Sequence, residues 1–584
     1  MNKKYIFFVI IVSILFSLAG CKEKTNPKSS FEKYIKAWET KDFNSMYSIL
    51  DIDSLTKIEE KTFIKKYSEI YELIEANKIN VNPKYPTEFK EDENENIKIP
   101  FDVSLDTIGG KINFSEKAVF KKEKDDEDKE VWRIKWDYNM IFSNLEKNDI
   151  VKVNNTYGNR GEMYDRNDKP LAINNEQGKR VYPNNASAGF ITGFTGAITD
   201  EDLKKEKYKD YNKNDIIGLA GLEYQYEERL KQKTGKEIII ADKNGNKKET
   251  LAKKEAQNGE KIKLTIDSQI QLAMHQQMAN DIGVGVAMNP KTGEVLALVS
   301  TPGYDPNTNT GPPLNRFRYS YAPGSTFKVI TSAIGFNAKK LDPNQDKQIY
   351  GTKWQKQYWG NYFVTRAHAY SPPSNFRNGM VYSDNIYFAQ VALDVGQDLF
   401  INETKKFGIG EEFPFDIPLH TQSQLFNEAM NSEAQLADSA FGQGEILMNP
   451  IHLTTIYTFL TNDGNILKPK LVLEENMTPE IWKQQVCSKE NTNLISKHLG
   501  EVVSSPDGTA HVAYIPDVPI MGKTGTAELK MSVDEEGTEN GWFIGIEQNK
   551  MELEVCMFIE GVEKKGGSVY PAEKVKNIFN QFGR

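Results

Sequence analysis

Two pairs of apolar strands, far apart in the chain, constrain most strongly what this sequence can fold into. The stretch G-V-G-V-A-M-N-P-K-T-G-E-V-L-A-L-V-S at 283–300 predicts two strands joined by an Asn-Pro-Lys-Thr-Gly turn. A second apolar pair is predicted at 541–546 and 553–559, and helical patterns dominate from about 325 to 515. We therefore predict one sheet built from both ends of a domain over 263–584, with loops of both halves around one cleft.

The chain before this domain predicts two smaller domains, since 584 residues are too many for one hydrophobic core. Apolar residues recur at helical spacing over 31–50 and again over 63–74. Alternating apolar and polar residues then predict strands at 97–105, 111–114 and 131–136. We expect a small α+β domain over 22–150 and a mixed linking or pedestal domain over 151–262.

The N-terminus has the layout of a secretion signal. Two lysines precede an apolar stretch over 5–18, and the small residues of L-A-G-C end at Cys21. This ending resembles a bacterial lipobox, in which the cysteine becomes the lipidated first residue of the mature chain. We expect a signal peptide over 1–21 and a stable anchor of two or more acyl chains on the outer face of the cell membrane. An uncleaved transmembrane anchor is the alternative, although the apolar run is shorter than the ~20 residues of a spanning helix.

The composition argues against two classes of ligand. A net charge of −9 disfavours a nucleic-acid partner, whose phosphates need a basic face. The six histidines have no ligand spacing, and the sequence has neither a Cys-x-x-Cys pair nor a glycine-rich phosphate loop, so neither a metal nor an organic cofactor is expected. Cys487 and Cys556 lie among apolar residues, where we expect buried thiols rather than a disulfide framework.

The first candidate catalytic motif is Y-A-P-G-S-T-F-K at 321–328, which places Ser325 and Lys328 three residues apart. On a helix, residues at this spacing share a face with Cβ atoms ~5–6 Å apart, so the lysine amine can reach the serine hydroxyl. A serine at a helix start also has a free backbone N–H. The spacing alone leaves two interpretations open: a nucleophile with its own base, or the first turn of a buried helix.

Two further motifs follow in the chain. Ser383-Asp384-Asn385 contains the one S-x-N of the sequence, although S-D-N is also a common helix N-cap. Lys523-Thr524-Gly525-Thr526 directly precedes the last predicted strand pair. Glycine at 525 would let a substrate backbone approach the edge of a strand closely.

Similar patterns occur elsewhere without companion motifs. The pairs Ser30/Lys33 and Ser54/Lys57 fall in the predicted N-terminal helices, where we expect exposed positions, and K-T-G recurs at 233–235 and 291–293. We interpret all four as structural, so the position and order of the motifs, and not their mere presence, indicate a catalytic site.

The order S-x-x-K, S-x-N, K-T-G matches the serine acyltransferases that react with penicillin. The stretches at 132–142, 160–167, 436–450 and 522–530 are similar to class B penicillin-binding proteins of the low-affinity, resistance-type lipoprotein branch of Gram-positive bacteria. This resemblance covers nearly the whole chain. It implies an NTF2-like N-terminal domain, a pedestal or dimerisation-type region, and a transpeptidase domain whose antiparallel sheet has helices on both faces.

The sequence departs from this family in the pedestal. Asp168 stands where the family usually has glycine, and Tyr182-Pro183 follows Asp165-Arg166 closely, where relatives carry a much longer helical stretch. We therefore expect a shortened pedestal, which puts any allosteric or partner site on it in doubt.

The resemblance implies D,D-transpeptidation of peptidoglycan stem peptides through an ester on Ser325. Lys328 would take the proton of the serine, which requires a pKa far below the usual ~10.4 of lysine, lowered by burial and by the charge of Lys523. Ser383 would relay a proton to the departing D-Ala amine, and Asn385 would hold the amide of the substrate.

The resemblance also implies which groups bind the terminal carboxylate of the substrate and the oxyanion formed at the attacked carbonyl. Lys523, with the hydroxyls of Thr524 and Thr526, would bind the terminal carboxylate. The backbone N–H groups of Ser325 and Thr526 would form the oxyanion hole. The partners implied are stem peptides, β-lactam antibiotics that acylate Ser325 with low affinity, the membrane through the lipid anchor, and a glycan-polymerising synthase.

Two other functions remain open from the residues. A serine β-lactamase-type hydrolase shares the motif order, but turnover of penicillin within seconds would distinguish it from a transpeptidase. A lipid-anchored β-lactam sensor or scaffold would keep its role after Ser325→Ala.

Overall fold

The computed structural model describes residues 26–308, 310–348, 351–366, 369–371, 373–529 and 537–583. The predicted signal peptide and Cys21 lie outside them. The chain divides into two compact units, one made of the described residues up to 158 together with 233–257, and the other of 159–232 with the chain from 258 onward.

The N-terminal unit begins with four helices, Pro27–Glu39, Phe43–Tyr47, Ile52–Lys57 and Glu60–Leu73. The first begins at Pro27 because the Asn26 side chain accepts the backbone N–H of Lys28 at 2.7 Å, and proline suits the first helical position. It stops before Lys41, whose φ of +59° breaks the helix, and Asp42 caps the next one.

A four-stranded antiparallel sheet follows, with the strands in chain order: Asn77–Pro83, Asn96–Thr107, Gly110–Lys124 and Glu130–Lys135. Every second residue from Ile97 to Leu105 is buried, so one face of the sheet packs on the helices. Phe31 and Trp38 lie edge-on to Phe101 at centroid distances of 5.5 and 6.0 Å. The predicted helices followed by an antiparallel sheet are confirmed.

The residues predicted as one linking domain, 151–262, divide between the two units. The strand Gly235–Ala241 pairs with both Ile150–Thr156 and Lys247–Lys254, and this three-stranded sheet belongs to the N-terminal unit. Such pairing between strands about 80 residues apart is invisible to local sequence patterns.

The remaining part of the linking region starts the C-terminal unit with short elements. Its strands are Met163–Tyr164, Pro170–Asn174, Arg180–Val181, Thr195–Ala197, Ile216–Gly218 and Ile262–Lys263, and its α-helices are Asn185–Thr192, Gly221–Gln225 and Glu227–Leu230. Buried Arg160 lies just before the first of these strands and pairs with Glu223 and Glu227, which belong to the two short helices, each at 2.8 Å. Asp168 has φ +60°, a conformation that favours the glycine usual in the family and that aspartate adopts more readily than most other residues.

The C-terminal unit contains the predicted sheet built from both ends of the domain. Five antiparallel strands lie in the order Glu294–Thr301, Gly283–Asn289, Glu554–Ile559, Thr538–Glu547 and Ile520–Leu529. All residues of Glu294–Thr301 and Glu554–Ile559 are buried, so helices cover both faces of the sheet. The last strand, Ile520–Leu529, lies at one of the two edges of the sheet and carries the K-T-G motif; we call it the edge strand.

Helices are the main regular structure of the insertion between the strand pairs, as predicted. Its α-helices among the described residues are Lys328–Asn337, Phe376–Val381, Asn385–Val395, Gln397–Lys405, Glu433–Ser439, Pro450–Tyr457 and Lys489–Ser504. The helix Ser268–Gln277 precedes the first strand pair, and Val569–Phe582 follows the last. Two small hairpins complete the insertion, Lys353–Trp354 with Val364–Thr365 and Ile466–Leu467 with Ile481–Lys483. Across the described part of the chain, no helix has the length and apolar character needed to cross a membrane.

Candidate active site

The three motifs, separated by up to 200 residues in the chain, meet around the amine of Lys328. Its Nζ lies 2.7 Å from Ser325 Oγ, 3.0 Å from Ser383 Oγ and 2.6 Å from Asn385 Oδ1. Lys523 reaches the same point, with its Nζ 2.8 Å from Ser383 Oγ. Five of the predicted site residues therefore form one hydrogen-bonded cluster.

Ser325 lies in a 3₁₀ turn, Gly324–Phe327, which we call the nucleophile turn, directly before the helix Lys328–Asn337. Gly324 has φ +53°, and a Cβ on it would lie 2.5 Å from the carbonyl oxygen of Thr526. Its N–H donates to Gly442 O at 2.9 Å. Close backbone packing on two sides thus fixes the turn that carries the half-buried Ser325 beside the edge strand.

Ser383 lies in a strained turn. Its φ is +54°, which is uncommon for a residue with a side chain and costs about 1–3 kcal/mol. The buried Asp384 accepts the N–H of Ile386 at 2.9 Å and so caps the helix Asn385–Val395. Asn385 also donates through Nδ2 to Thr365 O at 2.9 Å, which orients its Oδ1 toward Lys328.

Gly525 is required by the nucleophile turn. A Cβ at this position would lie 2.6 Å from Pro323 O and 2.9 Å from Thr326 Cγ2. The close approach of the nucleophile turn to the edge strand is thus a second reason for glycine at this position, and the approach of a substrate backbone stays a prediction.

The protonation of the two lysines follows from their burial. Lys328 is fully buried, and this burial, with the positive charge of Lys523, holds the pKa of Lys328 well below its usual 10.5, although Asp384 acts in the opposite direction. Burial also lowers the pKa of Lys523, to about 7. An uncharged Lys328 amine has a lone pair that can accept the Ser325 hydroxyl proton across 2.7 Å.

Both threonines of the edge strand, Thr524 in the K-T-G motif and Thr526 directly after it, lie beside this cluster. Thr524 is buried and donates to Thr509 Oγ1 at 3.3 Å, whereas Thr526 is half-buried and its carbonyl accepts from Gln443 Nε2 at 3.3 Å. Because Ile520–Leu529 is an edge strand, one row of its backbone groups pairs with no other strand in the described part of the chain, which makes it a candidate edge for an extended ligand.

The structural interpretation of the isolated S-x-x-K pairs holds for Ser54, but the expectation that it is exposed is wrong. Ser54 is buried, and its Oγ accepts the backbone N–H of Trp136 at 2.8 Å. Both free thiols, Cys487 and Cys556, are buried as predicted. Among the described residues, no group of three or more His, Cys, Asp or Glu side chains could hold a metal ion.

Four residues around the cluster were missed by the sequence argument. Arg366 and Tyr370 both contact the Asp384 carboxylate, at 2.6 and 2.7 Å. Gln443 contacts the edge strand, and Tyr457 donates to the carbonyl of Thr326 in the nucleophile turn at 2.8 Å. None belongs to a short motif with one of the reactive groups, so only the folded chain connects them.

Three family descriptions match this chain. A penicillin binding protein transpeptidase domain matches residues 283–580, an NTF2-like N-terminal transpeptidase domain matches 26–149, and a penicillin-binding protein dimerisation domain matches 175–264. Together they reproduce the predicted order of an NTF2-like domain, a dimerisation-type region and a transpeptidase domain.

Individual relatives agree with these matches. Penicillin-binding protein 3 of Bacillus subtilis is 34% identical over 671 residues, covering 99% of this chain and 100% of the relative. That span exceeds the 584 residues of this chain, so the relative carries segments without a counterpart here. The peptidoglycan D,D-transpeptidase MrdA of Acinetobacter baumannii is 25% identical over 450 residues, covering 69% of this chain and 65% of that protein.

A solved structure shares the fold. In the complex between penicillin-binding protein PBP2 and MreC from Helicobacter pylori, a chain of 19% identity matches with a TM-score of 0.66, over 74% of this chain and 99% of that one.

Proposed function

This chain belongs to the class B penicillin-binding proteins, and from that premise we propose that it cross-links peptidoglycan stem peptides through an ester on Ser325. It is thus a serine-type D-Ala-D-Ala transpeptidase. The observation that carries the assignment of the nucleophile is the 2.7 Å contact between Ser325 Oγ and the buried amine of Lys328, whose pKa lies well below the usual value.

In the first step, Ser325 Oγ attacks the carbonyl carbon of the terminal D-Ala-D-Ala bond while its proton passes to Lys328 Nζ. The new ester forms as the C–N bond breaks. Ser383 Oγ, which lies within 3.0 Å of both lysine amines, then passes a proton to the departing D-Ala amine. Asn385 holds the substrate's amide.

Binding of the substrate's terminal carboxylate is assigned to Lys523, Thr524 and Thr526. An entering carboxylate would favour the charged form of Lys523, whose pKa in the empty site is about 7. The backbone N–H groups of Ser325 and Thr526 would form the oxyanion hole, with about 3–4 kcal/mol of transition-state stabilisation from each donor.

In the second step, an amine of a neighbouring stem peptide attacks the ester carbonyl. Lys328 accepts the proton of this amine and returns one to Ser325 Oγ as the ester bond breaks, so the serine is regenerated and a peptide bond links two strands. β-Lactams enter the first step as donor mimics and leave Ser325 acylated. A low affinity for them is supported by the similarity of 436–450 and 522–530 to resistance-type relatives.

The location is proposed from the sequence. The L-A-G-C ending at Cys21 supports a lipid anchor on the outer face of the cell membrane, with an uncleaved anchor as the alternative. A glycan-polymerising synthase is proposed as partner, because none of the three matched domains polymerises glycan.

The test is transpeptidation with purified protein. A stem peptide ending in D-Ala-D-Ala is incubated with an acceptor amine, and both released D-Ala and the cross-linked product are quantified by mass spectrometry. We expect D-Ala release with amide formation, and neither with Ser325→Ala. Release without amide formation at saturating acceptor would support a hydrolase instead, and activity of Ser325→Ala would exclude the serine mechanism.

A further inference from the structure

A buried ion pair lies directly behind the reactive cluster. Arg366 and Asp384 are joined by two hydrogen bonds, of 2.9 Å from Nε and 2.6 Å from an Nη, and their side chains are 2% and 0% exposed. Tyr370 adds a third hydrogen bond to the same carboxylate at 2.7 Å. A two-pronged arginine–carboxylate contact of this kind fixes both position and orientation.

The carboxylate of this pair belongs to the turn that presents two site residues. Asp384 stands between Ser383, whose backbone oxygen and hydroxyl both contact Lys328 Nζ, and Asn385, whose Oδ1 does the same. The strained φ of Ser383 persists only where neighbouring contacts hold it, and Arg366 and the Ile386 N–H supply such contacts through Asp384.

The charges that act on Lys328 come from two neighbouring elements. Lys523 on the edge strand disfavours its protonation, and Asp384 in the Ser383 turn favours it. Arg366 offsets the negative charge of Asp384 at hydrogen-bond distance, and Tyr370 is the other titratable group on that carboxylate. Without the guanidinium, a buried carboxylate close to Lys328 would be uncompensated.

We propose that Arg366 is a positioning residue that keeps Lys328 an effective base by neutralising Asp384 and holding the Ser383–Asn385 turn. This inference rests on the proposed role of Lys328 as the proton acceptor of Ser325. Arg366 itself touches neither the substrate nor the reacting atoms.

The test measures the rate of acylation by a fluorescent penicillin against pH, using the full chain. In the wild type, the rate should rise as Lys328 loses its proton. Arg366→Gln leaves Asp384 uncompensated, so the midpoint of this rise should move up by about one pH unit, the lower end for one opposite charge at short range. Asp384→Asn keeps the helix cap but removes the negative charge, so its midpoint should move down by a similar amount.

Two further variants separate charge from shape. The double variant Arg366→Gln, Asp384→Asn should return the midpoint close to that of the wild type, whatever its maximal rate. Arg366→Lys keeps the charge without the two-pronged contact, so the midpoint should stay while the maximal rate falls. If Arg366→Gln does not fold, Asp384→Asn alone tests the charge, and a midpoint that does not move down would overturn the inference.

Opposite shifts in the single variants, cancelled in the double, support the inference. If the midpoints of Arg366→Gln and Asp384→Asn stay unmoved, or move in the same direction, the inference is overturned and Arg366 has a purely structural role. A wild-type profile without any rise would refute Lys328 as the base, and so would overturn the mechanism proposed above as well.

Discussion

Replacing Gly525 with alanine should slow acylation by displacing the nucleophile turn. The added Cβ would lie 2.6 Å from Pro323 O, 2.9 Å from Thr326 Cγ2 and 3.2 Å from Thr326 N. All three atoms lie in or beside Gly324–Phe327, and two of them belong to the backbone. The contact therefore cannot be relieved by rotating a side chain alone.

The size of the effect follows from these distances. Ordinary contacts of a Cβ begin at 3.4 Å, so the turn or the edge strand must move by about half to four-fifths of an ångström. A misplacement of about 1 Å at a reacting group costs about 100-fold in rate. We expect Gly525→Ala to lower the rate of acylation by penicillin about 10- to 100-fold.

The assay is stopped-flow or gel-based labelling with a fluorescent penicillin, which separates binding from the acylation rate. Thr326→Ser removes the methyl group at 2.9 Å and keeps a hydroxyl that can donate to Pro323 O, so it is the matched control. It should behave like the wild type alone and restore part of the rate in combination with Gly525→Ala. If Gly525→Ala acylates at the wild-type rate, or if it weakens only penicillin binding, the close approach does not set the position of Ser325.

Three other substitutions test separate parts of the molecule. Ser383→Ala removes the hydroxyl that contacts both lysine amines and should slow acylation by about 100-fold. Peptide mapping should still find the adduct on Ser325. An unchanged acylation rate would count against the proton relay. Complete burial raises the pKa of Glu554 well above 4.5. The folded chain therefore keeps a proton that the unfolded chain releases. As a result, the free energy of unfolding falls by about 1.4 kcal/mol per pH unit above pH 4.5. Glu554→Gln should therefore gain stability over the wild type between pH 5 and 8 in urea unfolding, and a constant difference would contradict this. Ser54→Ala leaves the Trp136 N–H unsatisfied and should destabilise the N-terminal unit by about 1–3 kcal/mol without altering penicillin acylation. Slower acylation would contradict a purely structural role of Ser54 and Lys57.

The reactive cluster was predictable because its residue types and their order are restrictive. A serine and lysine three apart, followed by Ser383, Asn385 and Lys523, specify a chemistry that isolated pairs do not. The strand pairs were predictable for a related reason, since continuous apolar runs bounded by turn residues have few alternative structures.

The supporting contacts were not predictable, because they join residues whose proximity depends on the whole fold. Arg366 directly follows the strand Val364–Thr365 and contacts Asp384, 18 residues later, and nothing in the local sequence marks the two as partners. The burial of Ser54 depends on the backbone of Trp136, which is 82 residues away. Likewise, the strand Gly235–Ala241 joins the N-terminal unit through pairing with Ile150–Thr156.

The central claim is that Ser325, activated by Lys328, carries the acyl group. Mass spectrometry of the protein after reaction with penicillin tests it most directly, with fragmentation of the tryptic peptide 319–328 to separate Ser325 from Ser320. We expect one adduct, on Ser325, that persists for minutes or longer and is absent from Ser325→Ala. An adduct on another residue, or an adduct released within seconds, would contradict it.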